Sequence, residues 1–106
     1  MSNPLPVFPK QPGESATLGF NWQSVLDQKG SSVTVSSATV ASVNLADGVS
    51  SSGTFLFSTT CTISGSKTTF KVISGTDGQN QKVTVTATFS DADVLQADLI
   101  VEVRDL

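Results

Sequence analysis

From residue 15 onward, apolar and polar residues alternate with a period of two, the signature of half-buried β-strands. Leu18, Phe20 and Trp22 alternate with Thr17, Gly19 and Asn21 to give a first strand. Val33 and Val35 alternate with Thr34 and Ser36, and Ser36-Ser37 reads as a bend or bulge. Val40, Val43 and Leu45 suggest a further strand with one slip of phase. Phe55, Phe57, Cys61 and Ile63 predict one long or broken strand, and Phe70 and Val72 the next. The clearest alternation is Val83, Val85, Ala87 and Phe89 against Thr84, Thr86 and Thr88. Leu99, Val101 and Val103 close the series against Ile100, Glu102 and Arg104. One exception to the period lies at Gln23–Gly30, where Val25 and Leu26 follow Trp22 at helical spacing and a glycine ends the turn. Between these runs, 46–53 and 74–80 are rich in Gly, Ser, Asp and Asn, the residues of turns.

About seven short strands with turns at intervals of roughly 8–12 residues predict an all-β fold, an immunoglobulin-like antiparallel β-sandwich. The expected core includes Leu18, Phe20, Trp22, Leu26, Val85, Phe89 and Val101. The first fourteen residues differ. They hold all four prolines, Pro4, Pro6, Pro9 and Pro12, each of which fixes φ and removes a donor. Residues 1–14 are therefore expected as an extended N-terminal arm and 15–106 as the sandwich domain. Leu5, Val7, Phe8 and Pro9 give the arm an apolar stretch suited to contact with a partner.

A chain of 106 residues is the size of one domain. Only 14% of it is charged, while 16 Ser and 13 Thr make up more than a quarter. The surface is thus expected to be neutral and hydroxyl-rich. Net charge is −3, which offers no basic footprint for nucleic acid or an anionic membrane. No apolar run approaches the roughly 20 residues of a membrane span. The opening Met1–Lys10 has no basic start and no uninterrupted apolar stretch, so it does not read as a secretory signal. The lone Cys61 reads as a buried strand hydrophobe, in keeping with a reducing compartment.

With no His and no Tyr, the chain lacks the usual metal sites and any His-based triad or acid–base pair. The nine carboxylates fall mostly in turns. Asp91-x-Asp93 with Asp98 nearby is the one cluster that could take a hard cation, but the further ligands of a calcium loop are missing. Ser74-Gly75-Thr76-Asp77-Gly78 has two glycines three apart, without the lysine or the helix that a phosphate loop needs. Lys67 and Lys71 flank Phe70, too sparse a set to track a nucleic-acid strand. No enzyme and no cofactor is expected; interaction through edges, loops and the arm is.

The run Phe8-Pro9-Lys10-Gln11-Pro12-Gly13-Glu14, followed by Phe20-Asn21-Trp22 and Leu26, resembles the opening of the fiber-tail adaptor family of tailed phages. Val72-Ile73-Ser74-Gly75, Val83-Thr84-Val85-Thr86 and the closing Ile100-Val101-Glu102-Val103-Arg104 continue the likeness in order. The resemblance implies a non-enzymatic virion structural protein assembled in host cytoplasm. It would link the tail or neck to fibres, with other virion proteins and copies of itself as partners in a symmetric assembly. An Ig-like decoration protein of the phage head is a second reading. A carbohydrate- or surface-binding module is a third, and it would need exposed aromatics.

Overall fold

The computed structural model describes residues 7–30 and 32–104. Among these residues, seven strands form two sheets: β1 Val7–Lys10, β2 Ala16–Asn21, β3 Val35–Asn44, β4 Thr62–Ser64, β5 Lys67–Val72, β6 Asn80–Phe89 and β7 Val94–Val103. Two short helices intervene, α1 Gln23–Lys29 after β2 and α2 Ser52–Phe55 after β3. The larger sheet runs β1-β7-β6-β3 and the smaller β2-β5-β4. Val35, Ala38, Val40, Val83, Val85, Ala87, Phe89, Leu99, Val101 and Val103 from the first sheet meet Phe70 and Val72 from the second, with Trp22, Phe55, Leu56 and Cys61 closing the cluster.

The strands β6 and β7 follow the alternation directly. Every second residue of β6 is buried, so its threonines, which alternate with Val83, Val85 and Ala87, take the other face. Elsewhere the count of seven is reached by a different route from the one expected. The two strands expected around Val33–Val35 and Val40–Leu45 are a single strand, β3. Its register against β6 shifts between Val35 and Ser37, which is the bulge expected at Ser36-Ser37. From Val40 to Asn44 the register is unbroken, and the slip of phase there arises because Ser42 takes the buried position. Phe55 to Ile63 is not one strand. Residues 52–55 make a helical turn, closed by Phe55 N–H donating to Ser51 O at 2.8 Å, and only residues 62–64 are extended in a ladder.

β1 lies within the segment expected as an arm. Residues 1–6 lie outside the described residues; residues 7–10 are extended and pair in parallel with Ile100–Val103 of β7, so the sheet takes in part of 1–14. Arg104 N–H donates to Lys10 O at 2.9 Å. Lys10, and by alternation Phe8, therefore turn their backbone groups toward β7, while Val7 and Pro9 turn theirs outward. The hydrogen that Pro9 lacks would face solvent, the position an edge strand allows. The residue before Val7 is Pro6, which has no amide hydrogen to extend the ladder. At the opposite edge, residues 59–61 run beside β3: Val40 N–H donates to Thr59 O at 2.8 Å and Cys61 N–H to Ala38 O at 3.0 Å.

Trp22, Val85, Phe89 and Val101 are buried. Leu18, Phe20 and Leu26 are half-buried and pack against the core from its margin. The reason is topological: β2 is an edge strand, covered by a neighbour on one side only, and α1 presents no fully buried residue. Trp22 sits at the corner between β2 and α1 rather than inside the strand.

Candidate functional site

The expected contact residues of the N-terminal segment lie on the outer edge of the larger sheet. Val7 is 57% exposed, and Phe8 and Pro9 are exposed beside it; Leu5 is outside the described residues. The next residue behaves oppositely. Lys10 is 1% exposed, yet every hydrogen on its ammonium has an acceptor. Nζ donates to Ser74 O at 2.7 Å, to Gln11 O at 2.9 Å and to Pro12 O at 3.4 Å. It also stands 5.8 Å from the centre of the Phe55 ring. Burial pushes this lysine below its ordinary range, and Glu14 nearby works against that shift. Three carbonyls in place of water are what let the charge stay inside. Lys10 thus ties the end of β1 to the loop between β5 and β6. Its role has no signature in the sequence, because the carbonyl of Ser74 is 64 residues away.

The acidic cluster does not assemble as a cation site. Lys29, from the last turn of α1, donates to Asp91 at 2.9 Å and also to Asp93. It lies 5.5 Å from the Phe89 ring centre as well. Asp98 is elsewhere, accepting from Thr84 Oγ1 at 2.6 Å and facing Lys82 at 3.8 Å. Among the described residues, no three of Asp, Glu, Cys or His gather as metal ligands would. The cation that Asp91 and Asp93 share is the protein's own.

That triad carries a pH prediction. Hydrogen bonding from Lys29 holds the Asp91 carboxyl below its ordinary 3.8. The bonds to Asp93 and then to Asp91 hold Lys29 above its ordinary 10.5. A depressed carboxyl stabilises the fold above its unfolded-state value, and that contribution is lost as pH falls through the folded-state value. A raised lysine stabilises below its unfolded-state value and loses this as pH rises through the folded one. The triad's contribution to melting temperature should therefore hold level from about pH 5 to 10 and be lost on either side. In Lys29→Met the acid limb should begin later and be shallower. An unchanged acid limb in that variant would mean the triad contributes nothing.

Gly75 and Gly78 both take positive φ, at 130° and 88°, and Gly78 N–H donates to Val103 O at 2.9 Å. Their spacing serves loop geometry. Cys61 is buried and free, and burial pushes its thiol up, away from the thiolate that reacts. A hollow of about 400 Å³ opens among Asn44, Ser51, Thr54, Gln79 and Gln81. Its hydroxyls and amides are bonded to one another, Ser51 Oγ to Gln81 Oε1 at 2.6 Å and to Ser42 Oγ at 2.8 Å. Trp22 and Phe55 are buried, so neither offers a sugar a stacking platform. The most exposed aromatic is Phe57, at 70%, a residue the strand alternation had placed inward.

The fold is thus a two-sheet β protein in which Lys10, Lys29, Asp91 and Asp93 are engaged within the chain itself. The family model of podophage GP4 fiber-tail adaptor protein gp77 matches residues 10–102, and the chain belongs to this phage fiber-tail adaptor family. It is a virion structural protein of the tail. No curated protein matches the chain. No helix among the described residues is long and apolar enough to cross a membrane.

Proposed function

We propose that the chain is a non-enzymatic connector that holds fibres to the tail or neck of the particle. It acts in several copies and assembles in the host cytoplasm without binding nucleic acid or membrane. The family match across residues 10–102 carries this reading. The sparse charge and the absence of His support it, as does the commitment of Lys29, Asp91, Asp93 and Asp98 to internal pairs.

Val7, Phe8 and Pro9, with Leu5 before them, make the N-terminal segment one contact with a neighbouring subunit. Val7 and Phe8 add exposed apolar area at a sheet edge, where another chain can pair or pack. Fully burying one such side chain contributes roughly 1.5–3 kcal/mol before ordering costs.

The experiment is to locate and count the chain in the native particle, by quantitative mass spectrometry and cryo-EM. The expected result is a small, symmetric set of copies where tail and fibres join. Copies spread over the head would make it a decoration protein, and absence from the particle would overturn the reading.

A further inference from the structure

The outer face of the smaller sheet is unlike the rest of the surface. Cross-strand register sets three rows on it: Thr17 beside Lys71, Gly19 beside Thr69 and Thr62, and Asn21 beside Lys67 and Ser64. None of these strand residues is acidic, in a chain whose net charge is −3.

The chain has six Lys and Arg residues, and four are engaged. Lys10 is held by carbonyls, Lys29 by Asp91 and Asp93, Lys82 by Asp98, and Arg104 by Glu102. Lys67 and Lys71 pair with no carboxylate among the described residues, and both are exposed on this one face.

Phe57 stands at its margin. Its N–H donates to Lys71 O at 2.9 Å, and Lys71 Nζ sits 5.5 Å from its ring centre. The ring is nonetheless the most exposed large apolar group among the described residues.

The middle row is kept low by Gly19. A Cβ there would lie 2.7 Å from Thr68 O and 3.0 Å from Thr69 Cγ2, so no side chain fits without displacing β5. Two shallow hollows result, of about 280 and 270 Å³, which share Thr17 and Thr69 as a common ridge. One reaches Lys67 and the other reaches Phe57 and Lys71.

The geometry points to this face as the docking surface for an acidic protein partner in the virion. The partner presents two carboxylates to Lys67 and Lys71 and a small apolar cleft to Phe57. The inference rests on the tail-adaptor reading and adds the chemistry of the partner. Four residues along a strand separate the two ammonium groups by roughly 13 Å at their roots, which sets the spacing of the carboxylates they meet. The exposed Phe57 ring offers a partner apolar area to bury, and Lys71 beside it a charge to pair. Three strands about 4.8 Å apart make a small patch. Its contact is weak alone and gains from repetition around a symmetric assembly.

The test is phage carrying Lys67→Glu with Lys71→Glu, and separately Phe57→Ser. The purified variant chains are first checked for an unchanged melting temperature, as substitutions on an outer face require. Incorporation of the chain into particles is expected to fall about tenfold or more for each, the factor that corresponds to 1.4 kcal/mol. Arginine at both lysine positions should restore it. Revertants of the double glutamate phage should carry Asp or Glu changed to Lys or Arg in a different virion protein. Normal incorporation of the glutamate variant would overturn the inference and leave the adaptor reading standing. Revertants confined to acidic residues of this same chain would overturn it too, by making the occupant a second copy. Absence of the wild-type chain from particles would instead remove the adaptor reading on which it rests.

Discussion

Trp22→Ala is expected to destabilise the fold by about 3–5 kcal/mol, the range for losing a large aromatic from a core. Trp22 is 6% exposed and meets the Phe89 ring edge-on, with centroids 5.7 Å apart. Its indole N–H donates to Thr68 Oγ1 at 2.9 Å, so truncation also strands a hydroxyl inside the protein. The residue further fixes the corner between β2 and α1, where its backbone N–H donates to Ser66 O at 2.8 Å. Urea unfolding of both proteins checks this through the midpoint, with an unchanged slope. A loss under about 1 kcal/mol would mean that the corner collapses to fill the space and that Trp22 does not anchor it.

Gly75→Ala is expected to cost about 2–4 kcal/mol, from backbone strain of roughly 1–3 and overpacking of similar size. At φ 130° the backbone is where L side chains rarely go. A Cβ would stand 2.9 Å from Val103 Cγ2 and 3.2 Å from Phe55 Cε1. Val103 and Phe55 are themselves fully packed, so neither can yield. Gly53→Ala is the control. It lies in α2 with nothing within 4 Å of the new carbon, and should be neutral or add up to about 1 kcal/mol. Equal effects at the two glycines would refute the packing argument.

What the sequence revealed depended on how local the determining forces were. β6 was legible because it buries one face along ten residues, long enough for alternation to be unambiguous. β7 buries one face only from Leu99 onward, and only that half reads as a strand. The bulge in β3 was legible at Ser36-Ser37, where two polar residues in a row break the alternation. Phe55 and Phe57 mimic a strand pair because spacing of two is also compatible with one residue in a helical turn and the other on the surface. A four-residue element leaves too little pattern to separate those cases. β1 was hidden by its prolines. Its place in the sheet comes from pairing with residues more than ninety positions later, and strand formation depends heavily on such context. The candidate sites divide the same way. Turn Asp residues were recognisable, but not that Lys29 would reach them from 62 residues away. Lys67 and Lys71 were visible as a pair, but their freedom from carboxylates is a property of the assembled surface.

The parallel pairing of β1 with β7 also has a mechanical consequence. Val7 lies level with Ile100 and Lys10 with Val103, so the chain enters this pair at one end and leaves it at the other. Tension applied across the two strands pulls them lengthwise in opposite directions. The ladder bonds are then loaded together, in shear, rather than peeled open one after another. The side-chain bonds from Lys10 to the loop after β5 tie that shear-loaded strand back into the body of the fold.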